Sequence, residues 1–160
     1  MKSPDPVKTY LKDLDSFFYG GNRWQPGILQ LTEDLNFKQA VWVPGKNKNS
    51  IWKIVMHSNF WKQYIFSIDA GKPFSNEEKH SGDWRDVPSK PDESKWQDEI
   101  DLMIITHKKM KALVLKLGME LFNQRKSFSV FVRENISHDA YHAGQIGLLR
   151  SLQGISKINF

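Results

Sequence analysis

The chain has 160 residues and no cysteine, and its 23 Lys and Arg against 18 Asp and Glu give a formal net charge of +5. This length fits one domain of about 100–200 residues, and the absence of cysteine excludes disulfides, thiolate metal sites and a cysteine nucleophile. No apolar run reaches the roughly 20 residues of a membrane span, and the N-terminal segment lacks the apolar core of a signal peptide. We therefore expect a single cytoplasmic domain over residues 1–160.

Helical spacing of apolar residues dominates the first half of the chain. The first long helix is predicted over about residues 5–19, before two glycines, and a short helix over about residues 27–35 follows it. The second long helix is predicted from Ile51 to about Ala70, with Ser50 as its N-cap.

The second half of the chain continues the helical pattern after residues 72–91, which are predicted as one long loop. The third long helix is predicted over about residues 91–122, where apolar residues alternate at spacings of four and three as in a bundle seam. The last helix is predicted over about residues 127–152. Because alternating strand patterns are absent, the sequence predicts an all-α four-helix bundle with a short extra helix and one long loop.

One face of the predicted last helix carries a row of polar residues. Spacings of four and three residues place six side chains on a single stripe, namely Phe131, Asn135, His138, His142, Gln145 and Leu149. The neighbouring stripe is apolar or small, so the polar row is expected to border the core. Buried polar groups cost stability unless they find partners, and these residues are therefore candidates for a functional role.

Three histidines on two predicted helices are candidate metal ligands. His138 and His142 lie one helical turn apart, close enough to bind a single ion. His57 lies between Ile54 and Trp61 on the apolar face of the second long helix. Three neutral imidazoles with an open fourth position are typical of a catalytic metal site. The alternative is that these histidines only make hydrogen bonds at the edge of the core.

Other polar residues near this pattern have both functional and structural interpretations. His107 occupies the seam of its helix. It is either a fourth metal ligand or a core residue that needs one hydrogen bond. His80 is expected to be exposed to solvent. Glu134 or Asp139 would accept a hydrogen bond from an imidazole, or else lie on a solvated face. The segment HDAYH, residues 138–142, has the histidine spacing of a zincin motif, but aspartate replaces the glutamate that acts as the base.

Five further side chains are candidates for a substrate pocket. Asn135, Gln145 and Tyr141 would position a substrate, and Trp61 and Tyr64 would form pocket walls. Packing in the core is the alternative for each of them, because aromatic residues at helical spacing usually fill cores.

Two basic features indicate other ligands. Arg85, in the predicted loop 72–91, would suit an anionic substrate. Lys108, Lys109 and Lys111 would suit a nucleic acid, but a solvated helix face explains them equally and there is no basic recognition helix.

Several segments resemble one family of helical proteins. They are SIWKIVMHSNFWKQYI at residues 50–65, HDAYHAGQIGLLRSLQG at residues 138–154, WRDVP at residues 84–88 and NRWQPGILQLTEDLNFKQAVWVPG at residues 22–45. Together they are similar to the DinB-like superfamily of bacterial four-helix-bundle proteins, also described as DinB/YfiT-like. The resemblance covers most of the chain.

The resemblance implies a divalent metal, zinc or nickel, on His57, His138 and His142. Characterised members of the superfamily include thiol-dependent transferases and isomerases that use bacillithiol or mycothiol. The resemblance therefore implies an enzyme that activates a low-molecular-weight thiol or water against a small-molecule substrate, as a homodimer. The alternative is a non-catalytic protein whose metal ties helices together, with a protein fourth ligand such as His107. Neither a nucleic acid nor a membrane is an expected partner.

Overall fold

The computed structural model of the chain describes residues 5–156 and 158, except for the side chains of residues 122, 126 and 127. Its helices are, in chain order, α1 (Pro6–Phe18), α2 (Phe37–Val41), α3 (Ile51–Asp69), α4 (Asn76–Asp83), α5 (Glu93–Leu117), α6 (Glu120–Asn123) and α7 (Lys126–Leu152). No strand occurs among these residues, which confirms the all-α prediction. The single domain over residues 1–160 stays a prediction.

Side-chain caps explain where three of the four long helices begin. The carboxylate of Asp5 accepts hydrogen bonds from the first amides of α1. Ser50 accepts from the amide of Lys53 at the start of α3, as predicted, and Asp92 accepts from the amide of Lys95 at the start of α5. Each cap satisfies amide groups that have no partner within the helix.

The prediction of one long loop over residues 72–91 is wrong, because this segment contains helix α4. Ser75 accepts a hydrogen bond from the amide of Glu78, and the Glu78 carboxylate accepts one from the amide of Ser75. This reciprocal capping box fixes the first turn of a helix even where there is no apolar face. His80, expected in a loop, is an exposed residue of α4.

The short helix predicted over residues 27–35 is replaced by consecutive turns. The amides of Ile28 and Leu29 donate to the carbonyls of Phe17 and Phe18 at the end of α1, which holds the segment against that helix. The regular short helix lies further along the chain as α2, where Asn36 forms the capping box.

Helix α5 ends at Leu117, earlier than the predicted residue 122, because Gly118 has a positive φ of 49°. Such a backbone conformation ends a helix and is accessible to glycine at little cost. The chain then makes the short helix α6 before it turns into α7.

The long helices pack against one another around two hydrophobic clusters. Helices α1 and α3 each contact both α5 and α7. The first cluster includes Trp52 and Trp96, and the second includes Leu14, Met110 and Val132. None of the described helices is long and apolar enough to cross a bilayer.

A layer of buried polar side chains lies between these two clusters. On α3 the first hydrophobic cluster contains apolar residues between 51 and 56, and the second cluster contains Ile65. On α5 the first cluster contains apolar residues between 96 and 103, and the second cluster begins at Met110. Nine buried polar residues of α3, α5 and α7 lie in or next to the intervening turns, namely His57, Ser58, Asn59, Lys62, Thr106, His107, Asn135, Asp139 and His142, whereas the buried Arg150 lies near the end of α7. Because buried polar groups are costly, this layer is where function is to be sought.

Candidate metal centre

Three imidazoles meet at one end of the polar layer. Nε2 of His138 lies 3.0 Å from Nε2 of His57 and 3.0 Å from Nε2 of His142. The three ligand atoms all lie within 4.8 Å of one another. Two nitrogens bound at 2.0–2.1 Å to a tetrahedral ion would be about 3.3 Å apart, so the observed spacing is close to that of a shared metal. The cluster could hold one metal ion.

The outer nitrogens of two of these rings face oxygen atoms. Nδ1 of His57 lies 2.6 Å from a carboxylate oxygen of Asp83, and Nδ1 of His142 lies 2.7 Å from Oε1 of Gln145. A carboxylate or amide oxygen accepts hydrogen bonds, so each contact favours the tautomer with hydrogen on Nδ1. The lone pairs of both Nε2 atoms then point toward His138. One proton on Nε2 of His138 cannot bond to both, whereas a cation would satisfy all three nitrogens.

Burial keeps these imidazoles neutral. Desolvation lowers the pKa of His138 and of His142 to about 4, and the neighbouring imidazoles act in the same direction. Desolvation also lowers the pKa of His57, against the opposing effect of the Asp83 carboxylate. A histidine must be deprotonated to bind a metal, and these three already are at neutral pH.

Helix α4 and the residue that follows it supply two contacts to His57. Asp83, its last residue, accepts a hydrogen bond of 2.8 Å from the indole of Trp61 as well as facing His57. The ring of Trp84 stacks on His57 with centroids 3.8 Å apart. The capping box at Ser75 was the available signal, because it predicts a helix that begins at Asn76.

His107 is not part of this cluster, so its interpretation as a fourth ligand is wrong for the arrangement seen here. Its Nε2 lies 2.9 Å from a carboxylate oxygen of Asp15, and its ring stacks on Phe18 with centroids 3.8 Å apart. The seam position of His107 is thus explained by one polar partner and packing, the structural alternative.

The two carboxylates considered as imidazole partners have other positions. Asp139 lies within the core. One of its carboxylate oxygens lies 2.9 Å from Nζ of Lys62, and the other accepts a hydrogen bond of 2.9 Å from the hydroxyl of Ser58. Glu134 is exposed at the rim of a pocket beside His57 and His138. The carboxylate that faces an imidazole is therefore Asp83 of α4, whereas α7 supplies the amide of Gln145 to His142.

The residues proposed to position a substrate divide between two places. Asn135, Trp61 and Tyr64 line the pocket beside the cluster. Gln145 instead supports His142, and its amide nitrogen donates to the hydroxyl of Tyr141, which is 64% exposed.

Two of the basic side chains considered above already have acidic partners. Arg85 lies 3.3 Å from a carboxylate oxygen of Glu99, and Lys111 lies 2.6 Å from one of Asp15. Arg85 is not among the residues that line the pocket beside the cluster.

Replacing Asp83 by alanine is expected to weaken metal binding about 10- to 100-fold, because the variant loses the carboxylate that orients the His57 ring. The affinity would be measured by competition with a chromogenic chelator for zinc. Asp86→Ala is the matched control, since Asp86 follows closely in the chain but pairs with Lys53 at the surface. Equal affinities of the two variants would contradict a role for Asp83 at the site.

No family model, no curated protein and no solved structure gave a significant match to this chain.

Proposed function

We propose that the chain is a divalent-metal-dependent enzyme of the DinB-like kind, in which His57, His138 and His142 hold the metal. The observation that carries this proposal is the convergence of three neutral imidazoles, with Nε2 atoms 3.0 Å apart in two of the pairs. The resemblance of the sequence motifs to the DinB-like superfamily supports the same ligands. Zinc and nickel both accept imidazole ligands, and both belong to the proposal.

A divalent ion on three neutral imidazoles would keep its full charge and stabilise a bound thiolate or hydroxide. The chain's own residues then have distinct tasks. Asp83 and Gln145 hold the rings of His57 and His142 in the ligating tautomer. The ring of Trp84 stacks on one face of His57. As the reaction we propose that a low-molecular-weight thiol loses its proton and its sulfur forms a bond to an electrophilic carbon of a small molecule, whose leaving group departs with the bonding electron pair.

The packing of the long helices supports the finer part of the fold prediction. Since α1 and α3 each contact both α5 and α7, the four helices have the neighbours expected at the corners of a four-helix bundle. We propose this bundle, in the DinB/YfiT-like form, as the scaffold that faces His57 of α3 toward α7.

The alternative function is a non-catalytic protein whose metal ties α3 to α7. Such a site would be closed by a fourth protein ligand. Within the described residues the candidate group contains three histidines and no fourth side chain, which favours an open position and hence the enzyme.

Elemental analysis of protein purified without a histidine tag tests the proposal directly. We expect close to one divalent metal per chain, and its loss in the variant His142→Ala, because two imidazoles bind an ion far more weakly than three. His80→Ala is the matched control, since His80 is exposed on α4. Absence of metal from the native chain, and no uptake of zinc, nickel or manganese, would contradict the proposal. Metal-loaded protein would then be screened with thiols and electrophiles.

We also propose that the chain forms a homodimer. Helix α7 exposes Tyr141, Leu148 and Leu152 at 57–64%, and their spacing of seven and four residues puts them on one outer face. Light scattering after size-exclusion chromatography should give twice the chain mass of 18.7 kDa. A monomer at micromolar concentration would contradict the dimer without bearing on the metal site.

A further inference from the structure

A pocket of about 310 Å³ lies directly beside the histidine cluster. His57 and His138 form one end of it, so a molecule in the pocket would reach the ligand atoms of the candidate metal centre. The volume is at the lower end of the range of small-molecule sites. It suits a compact organic molecule.

Aromatic rings form the walls of this pocket. Trp61 and Tyr64 come from α3 and Phe131 comes from α7. Tyr64 makes edge contacts with both others, at centroid distances of 5.4 Å to Trp61 and 6.4 Å to Phe131. These contacts hold the rings in place, and the ring of Tyr64 is already near one cation, Lys79, 5.7 Å from its centroid. Walls of this kind attract apolar groups and organic cations.

Three residues of the pocket lining, Asn135, Asp83 and Glu134, carry acceptors of hydrogen bonds. Asn135 is only 4% exposed, and its amide oxygen has no hydrogen-bond partner among the described residues. A buried acceptor without a partner is costly, which indicates that a ligand supplies the donor. Asp83 and Glu134 add two carboxylates, and no Lys or Arg is among the lining residues.

We propose that this pocket binds a small organic amine in its protonated form, with an apolar body between the aromatic walls. The ammonium group donates to the Asn135 oxygen and is attracted by the carboxylates of Asp83 and Glu134. In the metal-free protein an anionic body of the same shape is disfavoured, because the lining contains two carboxylates and neither Lys nor Arg. The inference rests on the proposed function only in taking the molecule that carries this ammonium group, with its electrophilic atom elsewhere in the molecule, as the substrate of the metal centre.

A series of ligands with one aromatic skeleton tests the charge and the hydrogen bond separately. We would measure dissociation constants by calorimetry for 2-phenylethylamine, its N,N,N-trimethyl derivative, 2-phenylethanol and 3-phenylpropionate, with the protein as purified and after removal of metal. The amine should bind about tenfold more tightly than the alcohol, and the carboxylate should bind most weakly in the metal-free protein. Equal binding of amine and carboxylate there would overturn the inference.

The trimethyl derivative keeps the charge but has no N–H to donate. We expect it to bind about three- to tenfold more weakly than the primary amine, and we expect Asn135→Leu to remove this difference. A difference that persists in Asn135→Leu would overturn the assignment of Asn135. If that variant does not fold, the ligand series on the native chain still decides the inference.

A substitution of Glu134, at the rim of the pocket, tests the contribution of its carboxylate to amine binding. Glu134→Gln should weaken amine binding several-fold and leave binding of 2-phenylethanol unchanged. Glu120→Gln is the matched control, because Glu120 is an exposed residue of α6 outside the pocket. Equal effects of the two substitutions would contradict the role of Glu134.

The two proposals fail in different ways. Selective amine binding by a chain that takes up no metal would support this inference and contradict the proposed function. Metal uptake without preference for the amine would support the metal centre and overturn the inference.

Discussion

Replacing Lys62 by methionine is expected to lower the free energy of unfolding by about 3–5 kcal/mol. Lys62 is 1% exposed, and its ammonium lies 2.9 Å from a carboxylate oxygen of Asp139, which is 3% exposed. Removal of the lysine leaves a buried carboxylate whose remaining described side-chain partner is the hydroxyl of Ser58. Urea unfolding followed by circular dichroism would measure the loss.

The double variant Lys62→Met with Asp139→Leu separates the cost of an unpaired charge from the loss of packing. It is expected to recover most of the stability, because an apolar pair of similar volume avoids the desolvation of both ions. Lys53→Met is the control, since Lys53 pairs with Asp86, whose side chain is 96% exposed, and such a surface pair contributes at most about 1 kcal/mol. Similar losses for Lys62→Met and Lys53→Met would contradict the argument.

The same double variant would also show whether the pair aligns the metal ligands. Ser58 follows His57 on α3 and Asp139 follows His138 on α7, so the hydrogen bond between Ser58 and Asp139 joins the two helices beside the ligands. A variant that is stable but binds zinc weakly would indicate that this contact sets the position of α7 against α3.

Acidification of the metal-free protein from about pH 6.5 to pH 4 is expected to lower its stability by about 3 kcal/mol for each of His138 and His142. In the unfolded chain these imidazoles bind protons below their ordinary pKa of 6.5, whereas desolvation lowers the pKa in the folded chain to about 4. The unfolded state therefore binds more protons across this window, and stability falls with falling pH. Urea unfolding at pH 7, 6, 5 and 4.5 would measure the slope.

The variant His138→Gln with His142→Gln is the control for this slope. Asp34 has a lowered pKa because Arg150 bonds to its carboxylate, so the stability that Asp34 contributes is lost only below its ordinary value of 3.8. The glutamine variant should thus lose most of this slope between pH 6.5 and 4.5, where burial also lowers the pKa of His57 and of His107. An unchanged slope in this variant would show that other groups take up the protons.

The three candidate metal ligands could be predicted from the sequence because helical periodicity depends only on residues within a few positions of one another. His138 and His142 share a turn of one helix, and the apolar neighbours of His57 give its direction on another. The same reasoning applied to Lys62 would have found it, since Val55, Ser58, Lys62 and Ile65 follow spacings of three, four and three residues on the buried face of α3. Its charge made a surface position the natural expectation.

The contacts of the site that come from α4 depend on the path of the chain. Nothing in the composition of residues 76–83 requires burial, and no residue of α4 is buried. Its position against α3 nevertheless places Asp83 beside His57 and Trp61. The pairing of His107 with Asp15, 92 positions earlier in the chain, likewise follows from the packing of α1 on α5.

The sequence by itself determined the all-α class, the approximate limits of the long helices and the three histidines, because caps and apolar periodicity act within a few residues. Only the tertiary structure decided which groups complete the site. Asp83 rather than Asp139 lies against an imidazole, and Asn135 lines a pocket with an amide oxygen that has no partner in the described part of the chain. These outcomes depend on how one helix lies against another, and that position is set by the sum of many packing contacts over the whole core.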